Sequence, residues 1–428
     1  MISHPLRLAA IALLLGVALP GQEIASSQPL LRVASNDARW VGAFAQMLGL
    51  AAPVLQAGQH VELIVPSTGA PRASTSEDPF QARTLVVEVR AAGWLQQRAE
   101  AVATAERDIT TRVEGFAKLA QFPAAAARDL CASVFALARS LESANVVVTQ
   151  VDKERRYDIR IELVPVPDSA FARWLPAITP STTSAAHLTW SDVALRLDLA
   201  LAHECFATAC EPFLPLVAAL GIHRRDATAA QHELRTLLPL LDGSFHVTLA
   251  PGRLGFVYGL HDAEAFAART LDGKRLQQET EALGSQGIEA EFTPAAQTHR
   301  GVPMLRSRVR GRQPLPGLGN DDGDVVSFGA RVRNLWLQIG GGKAPEGPMK
   351  SAIDDVLDGR LRGSPAASSE GPSAGPPAWL TCEVHLDRLG VSTATPRDAA
   401  STADDVPRRV CLSVRSSPQS LKALIQLR

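Results

Sequence analysis

Aromatic and sulfur-bearing residues are scarce in this chain: 2 tyrosines, 5 cysteines and 4 methionines in 428 residues, with aromatics at 5%. Five cysteines are too few for the disulfide-knit scaffolds of small secreted domains. Charge of one sign is also lacking. Lys and Arg total 43 against 44 Asp and Glu, so no basic surplus points to nucleic acid or to an anionic membrane. Nor does any apolar run reach the about 18 residues expected of a membrane-crossing helix, so the mature chain is expected to have no transmembrane segment.

One shorter apolar run is present. Arg7 is followed by Leu8–Leu19 (LAAIALLLGVAL), then by the Pro20-Gly21 break and small residues through Ser27. A charged start, an apolar core and a small-residue exit make a secretory leader. Residues 1–21 are read as a signal peptide, cleaved between about 21 and 27. The mature protein is expected to be exported, periplasmic or secreted.

Beyond the leader, 46% hydrophobic and 20% charged residues are ordinary for a globular protein, and the length suits more than one domain. Alternation marks strands at His60–Val65, Thr84–Arg90, Asn145–Val151 and Tyr157–Val164, with residues 66–82 read as a loop. A long helix is expected near Gly93–Gln121, from apolar positions seven apart (Leu95, Val102, Ile109, Phe116). The hairpin Asn145–Val164 is preceded by a helix and followed by a short one capped at Pro167-Asp168-Ser169. A second hairpin, Ser244–Leu260, has the same flanks.

These patterns predict an α+β fold: mixed, mainly antiparallel sheets with helices packed on one face, arranged as two related αββα modules. The first module is placed at 28–180 and the second at 186–360. Residues 362–377 (RGSPAASSEGPSAGPP) read as a flexible linker. The strands of 378–428 are expected to complete the second sheet.

Chemistry is sparse. His203, Cys205 and Cys210 form the densest potential metal-ligating set. A zinc-protease helix needs a second His four residues after the first, and position 207 is Ala. Asn320, Asp321, Asp322 and Asp324 cluster oxygen ligands suited to calcium, but position 331, near where the closing Glu of such a loop falls, is Arg. Gly340-Gly-Gly-Lys343 follows an apolar strand as a phosphate loop does, yet Ala344 stands where Ser or Thr is needed. His246, His261 and His385 lie in or beside strands, and His246 and His261 are candidates to converge across the second hairpin. Cys382 and Cys411, mid-strand in LTCEVHL and RVCLSVR, are the best disulfide pair by pattern. No catalytic residue and no cofactor site is assigned.

The functional expectation is an exported, non-enzymatic protein that binds another protein or an envelope component. One alternative is an exported hydrolase with an unrecognised site. The other is a calcium-binding surface protein.

Overall fold

The computed structural model describes most residues between 29 and 428. Outside the described set lie 1–28, 48–59, 67–71, 77–81, 92–98, 120–127, 152–155, 182–186, 215–226, 311–323, 342–344, 362–376, 389–408, and single positions or pairs between 129 and 286. The leader and most of the linker therefore fall outside it. The chain forms two compact units: Met1–Pro176 with Ser416–Arg428, and Ala177–Arg415.

In the first unit the elements run β1 (Leu31–Ser35), α1 (Ala38–Met47), β2 (His60–Val65), β3 (Arg72–Ser76), β4 (Thr84–Val89), α2 (Ala99–Leu119), β5 (Leu141–Gln150), β6 (Tyr157–Pro165) and α3 (Ala170–Trp174), with β16 (Leu421–Leu427) added from the far end of the chain. The strand order is β16-β6-β5-β4-β1-β2-β3. Cross-strand partners share a face. Val33 of β1 lies opposite Leu63 of β2 and Val87 of β4, and Val87 opposite Val146 of β5. All four are buried. Buried Trp40 and Val41 of α1, which packs on β1 and β2, belong to this core, and the Trp40 ring lies 6.3 Å from that of Tyr157. On the opposite face Arg32 bridges Glu62 and Glu88. One sequence expectation changes here. The segment read as a loop contains β3, an edge strand of small polar residues paired to β2. The last strand, β16, pairs with β6 in this unit.

The second unit contains β7 (Leu195–Ala200), α4 (His203–Cys210), α5 (Ala227–Leu237), β8 (Leu241–Ala250), β9 (Arg253–Leu260), α6 (Ala263–Thr270), α7 (Gly273–Gly284), β10 (Glu289–His299), β11 (Val302–Arg310), β12 (Asp324–Val332), β13 (Leu335–Gly340), α8 (Glu346–Leu357), β14 (Leu380–His385) and β15 (Arg409–Ser416). Its order is β10-β11-β12-β13-β9-β8-β7-β14-β15.

This overturns the expected fold class. Every ladder described in either unit is antiparallel, so the sheets are not mixed. Nor are there αββα modules, because the hairpin β8–β9 sits mid-sheet, flanked by β13 and β7. The helices of the second unit are not confined to one face. Met349, Ile353 and Val356 of α8 pack with Phe328, Ala330, Leu337 and Ile339 on one side. Phe266 of α6 packs with Trp336 and Tyr258 on the other. The physical reason is visible in β13, whose Leu-Trp-Leu-Gln-Ile is apolar on both faces and is buried from both.

Candidate functional site

The two-faced strands of the second unit are where polar chemistry gathers. In β7, Arg196 and Asp198 alternate with Leu195, Leu197 and Leu199, so the strand presents one charged and one aliphatic face. Register carries both faces outward. Asp198 lies opposite His246 of β8 and Thr381 of β14, while Arg196 lies opposite Thr248 and Glu383.

His246 is at the centre of the polar face and is fully buried, as is Thr248. Its Nδ1 meets an Asp198 carboxylate oxygen and its Nε2 meets the Thr248 hydroxyl. An ionised carboxylate only accepts, so Nδ1–H donates to Asp198; with the ring neutral, Nε2 accepts from the threonine. Thr381 donates to the second Asp198 oxygen at 3.4 Å. The His187 ring lies 5.7 Å from that of His246. One step along the strands, Glu383 accepts from His385 Nε2 at 2.7 Å and from Arg409 Nε at 2.9 Å.

Carboxylate, imidazole and hydroxyl in this order form the relay that activates a nucleophile in serine hydrolases. A nucleophile must also touch its substrate, and here the hydroxyl and the ring are both shut away from solvent. The arrangement therefore ties β7, β8 and β14 together as a satisfied polar cluster.

The reverse face is apolar across five strands. One cross-strand row is Leu254, Leu249, Leu195, Val384 and Val410; the next is Phe256, Val247, Leu197, Cys382 and Leu412. All ten side chains are partly exposed. A third row begins with Tyr258 and Phe245, whose rings lie 4.9 Å apart; burial pushes the Tyr258 phenol up to about 12. On β8 the usual arrangement is thus inverted: His246 and Thr248 are buried, whereas Val247 and Leu249 are partly exposed.

The sequence-derived candidates scatter. His203 Nδ1 lies 2.8 Å from the Leu241 carbonyl, and its ring stacks on His261 with centroids 3.7 Å apart. His261 therefore meets His203, not His246. Burial pushes the Cys210 thiol up to about 11. Among the described residues, no group of three or more His, Cys, Asp or Glu side chains is placed to hold a metal ion. Asn320, Asp321 and Asp322 lie outside the described residues. Asp324 opens β12, where its buried carboxylate accepts from Arg310 Nε at 2.6 Å and Arg308 Nε at 2.8 Å. These two guanidiniums hold it below the usual carboxylate range. A carboxylate so engaged by two cations is not free to ligate calcium, and the calcium reading loses that ligand.

Cys382 and Cys411 do sit on paired strands, but Cys382 faces Leu412 and Cys411 faces Glu383. That one-residue offset sends the thiols to opposite faces of the sheet, and both are free. Gly371-Pro-Ser373-Ala-Gly375 has the spacing of a hydrolase elbow. It falls outside the described residues, within the Pro/Gly/Ser-rich linker, whereas an elbow joins a strand to a helix. Asp198, the partner of His246, was not singled out. Its alternation with leucines in LRLDLA was the available signal.

No protein-family model matches the chain, and no curated protein matches it. A solved structure titled "Structure of crystal form IV of TP0453" is similar at 9% identity, covering 59% of this chain and 82% of that one, with a TM-score of 0.29. A likeness of that size carries no argument about function. Among the described residues, no helix is long and apolar enough to cross a membrane.

Proposed function

We propose that the chain is an exported, non-catalytic binding protein that takes another protein or an envelope component against the apolar rows of its second unit. The observation carrying this reading is the continuous aliphatic and aromatic face on β9, β8, β7, β14 and β15, all of it partly exposed in the two outer rows. A contiguous apolar surface with partial access to solvent commonly marks an interaction site. The leader read at residues 1–21 supplies the exported setting. The hydrolase alternative has one observation in its favour, the Asp198–His246–Thr248 order, and the burial of the hydroxyl speaks against it.

Cys382 and Cys411 supply the test, since each marks one face. Variants retaining only one of the two thiols are labelled with a benzophenone maleimide, returned to envelopes of the host and irradiated. Burial raises the Cys382 thiol pKa, so labelling is carried out at alkaline pH. The expected result is a discrete adduct from position 382 and none from 411. Adducts of equal yield from both positions, or none from 382, overturn the reading.

A further inference from the structure

Arg196 stands on the polar face of β7, between Thr248 on one side and Glu383 on the other. The carboxylates around it are already engaged. Asp198 serves His246 and Thr381. Glu383 serves His385 and Arg409. Across β7, β14 and β15 this face carries three guanidiniums, Arg196, Arg409 and Arg415, against two carboxylates, Asp198 and Glu383. Arg415 has an interaction of its own.

Among the described residues Arg196 makes no hydrogen bond or ion pair, and its Nε is closed off from solvent with no acceptor. A guanidinium is always charged and carries five donors in a planar fork. Leaving such a group half-buried and unpaired is unfavourable, because burial removes water that nothing replaces. The surplus positive charge and the missing acceptor are what a bound anion corrects.

We propose that Arg196 anchors a binding site for a small oxyanion, a phosphate or carboxylate group, on the polar face of the second unit. The fork geometry suits two parallel N–H···O bonds to such a group. The site lies on the opposite face of the sheet from the apolar rows and stands independently of the binding function proposed for them. A phosphate here has two possible sources, a free anion or the headgroup of a phospholipid.

The mature protein is melted in phosphate, in acetate and in chloride at equal ionic strength, beside Arg196→Gln and Arg196→Lys. Saturating anion at a hundredfold over its dissociation constant raises the wild-type melting temperature by about 5 °C over chloride. Arg196→Lys keeps part of that shift and Arg196→Gln loses it. Without ligand, Arg196→Gln melts at or above the wild type, since it removes an unpaired charge. Sedimentation with phosphatidylglycerol vesicles, against phosphatidylcholine vesicles, then separates the sources: Arg196-dependent pelleting marks a headgroup, and a phosphate or acetate shift without it marks a free anion. An anion shift of equal size in Arg196→Gln, or no Arg196-dependent response in any arm, overturns the proposal.

Discussion

Replacing His246 by alanine destabilises the second unit by about 3 kcal/mol in equilibrium denaturation. The loss has two parts. The ring is fully buried, so its removal leaves a cavity. It also bonds at both nitrogens, so its removal strands the buried Thr248 hydroxyl away from water and leaves the partly exposed Asp198 carboxylate with Thr381 alone. Stranding is the larger part, because an unmet polar group loses its full solvation while a met one contributes little net. A second variant separates this from a catalytic role. Asp198→Leu, His246→Leu and Thr248→Val made together remove the three central members and leave only the Thr381 hydroxyl, which is partly open to solvent, without its acceptor. Buried polar clusters replaced entire by apolar residues often lose little, so the triple variant is expected to be more stable than His246→Ala alone. A triple variant that is the less stable of the two contradicts this account of the cluster.

Gly243→Ala is expected to be nearly as damaging, at about 3 kcal/mol, or about 10 °C in melting temperature. Gly243 sits where the pairing of β8 with β9 shifts register, between Leu241 and Phe245, and its φ of +90° suits glycine. A methyl group there also runs into the Leu201 carbonyl. That carbonyl cannot retreat freely, because the Leu201 amide donates to the Gly243 oxygen at 3.0 Å. Gly359 provides the control: its φ is +69° but an added Cβ meets nothing within 4 Å. Gly359→Ala isolates the dihedral contribution, expected at about 1 kcal/mol. Equal losses at both positions would rule out the steric part of the argument.

Local patterning in the sequence was enough for the hairpins β5–β6, β8–β9 and β12–β13, because strict alternation and short polar turns are properties of adjacent residues. The strand order was not legible. β7 joins β8 on one side and β14 on the other, and β14 lies about 180 residues along the chain, so no local signal announces the pairing. Register was equally hidden. Cys382 and Cys411 fall on paired strands as their settings suggested, yet an offset of one residue puts them on opposite faces. β13 did carry a readable warning: adjacent Trp336 and Leu337, both buried, need cover on two sides and so conflict with helices on one face alone. His246 was visible as a strand histidine, but its meaning depends on Asp198, 48 residues earlier. The partners of Asp324 were hidden for the same reason, since Arg308 and Arg310 reach it from the neighbouring strand.

The central claim is that the apolar rows on β9, β8, β7, β14 and β15 are an accessible binding surface of the folded protein. The most direct measurement is titration of the native mature chain with bis-ANS, alongside the Val410→Lys/Leu412→Lys variant at temperatures where circular dichroism shows both folded. The account predicts saturable fluorescence from the wild type that falls several-fold in the variant. Native wild-type protein that leaves the dye dark, or equal fluorescence from the two proteins, contradicts it.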